Sequence, residues 1–181
     1  MSTKKTIISI FSIYIALNSS ISYGAKHTNE ESNADHFYGD IHEGTISTGG
    51  YISISQWLGV RNNQFSYDVS PSVLYFITDS LSLGGTMSLW NDADESVIFG
   101  IGPAFKWIFV KSKRIGISTS GHIRIGITDA TLRSVIGANL STEYFATPSV
   151  SLGPTLRFNH YTGSRTSYQR IGLLINASVY F

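Results

Sequence analysis

From Gly44 to Phe181 apolar and polar residues alternate almost without interruption, a period of two that points to strands with one apolar face and leaves no room for an amphipathic helix. Phe65, Tyr67, Val69, Pro71, Val73 and Tyr75 share one parity, and Gln64, Ser66, Asp68, Ser70 and Ser72 share the other. Leu81, Leu83, Gly85, Met87 and Leu89 alternate in the same way with Ser82, Gly84, Thr86 and Ser88. The pattern continues through Val97–Phe109, Ile115–Ile127, Ile136–Tyr144, Val150–Phe158 and Ile171–Phe181. With the glycine-rich stretch Gly44–Ser55 as the first strand, the count predicts about eight antiparallel strands.

The connections alternate in character as well. Leu58–Asn63, Asn91–Ser96, Thr128–Arg133 and Tyr161–Gln169 read as polar loops, whereas Thr78–Ser80, Lys111–Arg114 and Ala146–Pro148 read as tight turns. A weak internal repeat, Tyr75–Gly84 against Tyr144–Gly153, falls at the same kind of turn in two hairpins; convergence of similar hairpins accounts for it as well as duplication does.

An eight-stranded meander can close with its apolar face inside, as in a soluble lipocalin-like ligand carrier, or outside, as in a membrane barrel. The polar parity decides between them. It consists mostly of Ser, Gly, Thr and Asn with isolated charges, and only 14% of the chain is charged, whereas a solvated surface is roughly a quarter to a third charged. The apolar parity carries no charge within these strands, as a lipid-facing wall requires, because a charge at the bilayer midplane costs ~2–4 kcal/mol. Phe65 and Tyr75, and again Phe99 and Phe109, lie ten residues apart on one parity. At ~3.3 Å per residue and a tilt of roughly 40°, that spacing projects to about 25 Å, the separation of the aromatic girdles of a membrane barrel. Trp107, Tyr144 and Phe145 are expected in the girdle at the tight-turn end and Phe158 in the one at the loop end.

Residues 1–24 have the layout of a cleavable secretory signal peptide: Lys4 and Lys5, an apolar run from Thr6 to Leu17, then small and polar residues to Gly24. That run is shorter than the ~20 residues of a membrane-spanning helix. Residues 25–43 are polar and aperiodic and are expected to be a flexible N-terminal segment, leaving 44–181 as the barrel domain. The absence of cysteine excludes disulfides, thiolate metal sites, cysteine nucleophiles and a lipoprotein anchor, and a net charge of +1 gives no reason to expect nucleic acid.

The closing stretch, with Ile171, Leu173, Ile175, Ala177 and Val179 at every second position before the terminal Phe181, resembles the last strand of small bacterial outer-membrane β-barrel proteins. The resemblance covers Gly44–Phe181 and implies an eight-stranded up-and-down transmembrane barrel in the cell envelope of a Gram-negative bacterium. It further implies that Phe181 marks the chain for the barrel-assembly machinery. Both termini and the tight turns would lie in the periplasm, with lipids and lipopolysaccharide as the surroundings and a monomer as the assembly.

On that frame Asp68, Arg124 and Arg157 are expected in the upper lumen and Lys106 and Glu143 in its lower part, where opposite charges neutralise one another in a packed interior. A barrel of this size is filled by side chains, so a general diffusion pore is not expected. Near the loop end, Arg157–Ser164 faintly resembles the His-x-Ser region of the lipid A 3-O-deacylases, which would make His160 a base and Thr162 the hydroxyl. No carboxylate follows His160, so Glu143 or Asp68 would have to orient it from another strand. His36 and His42, with Asp35 and Asp40, fit a solvated linker better than a metal site, and Gly100-Ile-Gly102 precedes no helix and fits close packing rather than a nucleotide loop. No cofactor and no metal is expected. The function so read is structural or surface-interacting, with a lipid A hydrolase and a small adhesin as the alternatives.

Overall fold

The computed structural model describes residues 41–57, 64–91, 97–112, 114–128, 131–163 and 167–181, without the side chains of 54–57, 64–66, 128 and 131. The expected signal peptide, most of the polar segment with Asp35, His36 and Asp40, and the ring of Phe65 therefore lie outside the described residues. Eight antiparallel strands follow one another around a closed barrel. They are β1 (Ile46–Trp57), β2 (Gln64–Phe76), β3 (Leu81–Asn91), β4 (Val97–Lys111), β5 (Ile115–Thr128), β6 (Thr131–Thr147), β7 (Val150–Thr162) and β8 (Ser167–Tyr180).

The strands run further than the alternation alone suggests. β5 and β6 pair out to Thr128↔Thr131 and β7 and β8 to Thr162↔Ser167, so most of the two expected loops at 128–133 and 161–169 belongs to strand ladders. At the opposite end the turns are tight: the Thr78 hydroxyl accepts hydrogen bonds from the Ser80 and Leu81 amides, and the Lys111 ammonium reaches the Asp79 carbonyl. Gly44, at φ 95°, makes the turn into β1 in a conformation that a side chain would strain. Residues 41–43, the end of the expected polar segment, are tied to this rim: Ile41 is buried, His42 Nδ1 lies 2.8 Å from the Thr45 hydroxyl, and the Glu43 amide donates to Asp79.

Side chains alternate between the two faces as the pleat requires. Val73, Leu83, Ile101, Ile123, Ile136, Leu156 and their like stand on the outside, exposed, while most of the Ser, Thr and Asn residues and the charged residues between the rims point inward. Among the described residues no Asp, Glu, Lys or Arg stands on the outer face between the two rims. Tyr75, Trp107, Phe109 and Tyr144 form an outer aromatic ring at the tight-turn end, and Phe99 and Phe158 stand outside toward the loop end. Phe145 does not join the ring. It is fully buried, because it follows the outward Tyr144 in a continuous strand and must therefore face the lumen.

Closure is uneven. Most neighbouring strands pair over nearly their whole length, but β1 and β8 pair only from Ser47↔Tyr180 to Tyr51↔Asn176, extended below by reciprocal backbone hydrogen bonds between Ile46 and Phe181. Above Tyr51 and Asn176, β1 keeps its ladder to β2 and β8 its ladder to β7, while the two facing edges remain unpaired.

Candidate functional site: the lumen and its two ends

The inner parity is polar only in the middle of the barrel. At the tight-turn end Ile41, Phe76, Ile108, Phe145 and Tyr180 form one buried apolar cluster. At the loop end Trp90, Ile98, Val135 and Tyr161 form a second, with Tyr168 stacked on Tyr161 at 4.7 Å between ring centroids. Trp90 fits because Gly100 faces it from the next strand: a Cβ there would lie 2.5 Å from the indole. The lumen is thus a polar section between two apolar plugs. The sequence reading missed the plugs, although their residues other than Ile41 sit on the inner parity near the strand ends, where a residue-by-residue parity check would have found them.

Two charge clusters brace the polar section. In the upper one Arg124 makes a double contact with Asp68, each guanidinium nitrogen 3.2 Å from a carboxylate oxygen. It also donates to the Ser70 hydroxyl, which itself donates to Asp68. Asp68 is on β2 and Arg124 on β5, so the pair spans the lumen instead of joining neighbours. Arg157, on β7, lies over the Tyr51 ring, donates from Nε to Asn139 at 2.7 Å, and approaches Asp68 only to 3.9 Å.

In the lower cluster Glu143 receives Lys106 at 2.6 Å, Ser118 at 2.7 Å, Ser151 at 3.0 Å and Tyr180 at 2.6 Å. These donors come from β4, β5, β7 and β8, so one carboxylate on β6 ties together five strands. Charge-assisted hydrogen bonds of this kind are the strong ones, and four of them account for a fully buried carboxylate. The structure therefore brings Asp68 together with Arg124 and Arg157, and Lys106 together with Glu143, on two levels. Between the levels is a cavity of about 70 Å³, room for a handful of waters, reached by Ser72, Ser120, His122, Asn139, Thr155 and Arg157.

His160 and Thr162 occupy the other side of the wall. Both sit on the outward parity at the loop end of β7, where His160 Nε2 lies 3.4 Å from the Ser167 hydroxyl. Neither proposed acid can serve it: Glu143 and Asp68 point into the lumen and are engaged there. The residue opposite His160 on β8 is Gln169, an amide. A triad built on His160 lacks its orienting carboxylate among these residues, and the physical reason is strand parity. Among the described residues no three His, Asp or Glu side chains converge as a metal site.

The closed eight-stranded barrel is shared with solved structures. The N-terminal β-barrel domain of OprF from Pseudomonas aeruginosa superposes with a TM-score of 0.56 at 10% identity, over 77% of this chain and 99% of that one. The fold is that of small outer-membrane β-barrels. A de novo designed transmembrane β-barrel superposes at 0.50 with 14% identity, over 76% and 96% of the two chains. Neisserial surface protein A does so at 0.49 with 16% identity, over the same shares. No protein-family model and no curated protein matches the sequence. That a designed barrel shares the architecture at 14% identity shows how little of it depends on particular residues beyond the alternation.

Proposed function

We propose that the chain spans the outer membrane of a Gram-negative bacterium as a closed barrel with a structural or surface-interaction role, not as a diffusion pore. The observation that carries this is the outer wall: an uncharged apolar belt edged by aromatic rings, the reverse of what a soluble carrier presents. The plugs and the cross-lumen charge clusters argue against conduction, since a permeant ion would have to displace both. In this reading the tight turns and both chain ends lie in the periplasm, lipids and lipopolysaccharide surround the belt, and Phe181, paired with Ile46, is presented to the assembly machinery.

Folding into phospholipid vesicles followed by electrophoresis with and without heating tests the proposal. A heat-dependent change in migration together with no steady conductance in a planar bilayer is expected. A folded barrel that remains soluble without detergent, or one that conducts steadily, overturns it. Mass spectrometry of lipid A from cells with and without the protein is expected to show no lost acyl chain, and a loss dependent on His160 would replace this reading with a hydrolase.

A further inference from the structure

The outer belt is indented on one side of its loop end. β4 and β5 carry apolar outward residues up to their ends, Val97 and Phe99 on the one and Ile125 and Ile127 on the other, all exposed. On β7 and β8 the apolar residues stop at Phe158 and Ile171, and beyond them His160, Thr162, Ser167 and Gln169 stand on the outward parity. The register makes the contrast direct. One rung runs Ile125↔Ser134↔Thr162↔Ser167 from β5 to β8, and its neighbour runs Ile123↔Ile136↔His160↔Gln169. Each begins at an exposed isoleucine and ends in hydrogen-bonding groups.

Ser134, His160, Thr162, Ser167 and Gln169 therefore form one contiguous patch of three hydroxyls, an imidazole and an amide, with no Lys, Arg, Asp or Glu in it. Neighbouring strands are about 4.8 Å apart and successive outward residues of one strand about 6.7 Å, so these groups make a flat grid on the scale of a hexose ring. His160 Nε2 lies 3.4 Å from the Ser167 hydroxyl, a long contact, and Thr162, Ser167 and Gln169 are exposed. Polar groups at the edge of a hydrocarbon layer are costly unless they are hydrogen-bonded. An anionic headgroup would meet no Lys or Arg in the patch, whereas a sugar brings both donors and acceptors. On the next rung down, Ala138↔Phe158↔Ile171, the outward Phe158 ring adds a flat apolar surface beside a small residue.

We propose that this indentation binds the sugar of a glycolipid standing in the leaflet on the loop side, with the hexose hydrogen-bonded by His160, Gln169 and the neighbouring hydroxyls and the acyl chains lying against Phe158 and Ile171. The inference deepens the membrane reading and rests on it.

The test uses the full barrel refolded into phosphatidylcholine vesicles that contain equal amounts of monoglucosyl diacylglycerol and diacylglycerol, with native mass spectrometry counting the lipid that stays on the barrel. Retention of the glucosyl lipid over diacylglycerol by at least about tenfold is expected. His160→Ala with Gln169→Ala is expected to remove that preference, and Thr142→Ala, outward on β6 at the tight-turn end, to keep it. A glucosyl lipid with a photoreactive group on its sugar is expected to crosslink the unaltered barrel at the loop ends of β6–β8, a result that stands even where the double variant does not fold. Absence of preference in a barrel shown folded in vesicles overturns the proposal, as do a preference that survives the double variant and crosslinks elsewhere on the belt. So do displacement by methyl glucoside at equal concentration, stronger retention of phosphatidylglycerol put in place of diacylglycerol, and a barrel that leaves the vesicles as a dimer without the glycolipid. Failure to enter vesicles at all would instead overturn the membrane reading beneath it.

Discussion

Replacing Glu143 with Gln tests whether the lower charge cluster is a strut or merely filling. The change keeps the shape but removes the charge that faces Lys106, 2.6 Å away and almost wholly buried. It also exchanges one of two acceptor oxygens for a donor, although Ser118 approaches one oxygen and Ser151 and Tyr180 the other. Breaking a buried pair by altering one partner costs about 3–5 kcal/mol, because the other charge stays buried without compensation. Against a total stability of about 5–15 kcal/mol that is a large share. Lys106→Met is expected to cost a similar amount, whereas the double replacement leaves no orphaned charge and is expected to cost much less than the sum. Urea titration of the barrel in vesicles, followed by tryptophan fluorescence and by gel migration, gives the three free energies. Single costs below about 1 kcal/mol, or a double variant additive within about 0.5 kcal/mol, would refute the strut.

The outer belt predicts a depth dependence: Ile101→Arg, well inside β4, is expected to cost about 2–4 kcal/mol of unfolding free energy, and Val97→Arg, at its rim, about 0–1 kcal/mol. Gly100→Ala places a methyl 2.5 Å from the Trp90 ring and is expected to cost about 1–3 kcal/mol with a shifted tryptophan emission, while Gly85→Ala, whose nearest neighbour would be 3.7 Å away, is expected to be tolerated in both measurements. Phe145→Ala empties part of the lower plug and is expected to cost about 3–5 kcal/mol, well above Tyr144→Ala on the outside, in the same urea titration. Tyr180→Phe keeps the ring between Phe76 and Phe145 but removes the hydroxyl that donates to Glu143, and is expected to cost about 1.5–3 kcal/mol. Hydrogen exchange should then quicken at the β1–β8 amides around Ser47 and Ser178 before it does at β2–β3.

The strand order and the two faces were legible because both follow from a local period, and counting along hairpins was enough to set Asp68 level with Arg124 and Lys106 level with Glu143. The plugs were not read because the inner parity was judged by its majority. Its Ser and Thr dominate each strand's middle, while Trp90, Ile98, Ile108, Val135 and Phe145 sit toward the ends. Placing Phe145 beside Tyr144 in one girdle was a conflict visible in the sequence itself, since successive side chains of a strand cannot share a face. The seam was beyond reach: whether β1 meets β8 over half or all of its length depends on closure between segments more than a hundred residues apart, to which no local pattern refers.

The uneven seam has a cause in the same distribution of side chains. At the lower end Tyr180 is locked to Glu143 and packed between Phe76 and Phe145, and Ile46 and Phe181 exchange backbone hydrogen bonds, so β8 is anchored from inside the lumen and joined to β1 through the backbone. Higher up, β8 brings Gly172, which offers nothing to pack, and Leu174, an apolar group on the inner parity. Gly172 brings no side chain to a cross-strand pair, so that rung of a β1–β8 ladder would gain nothing from packing. Unpaired strand edges are costly in hydrocarbon, so in the proposed membrane setting the paired lower end, from Ser47↔Tyr180 to Tyr51↔Asn176, is what closes the barrel.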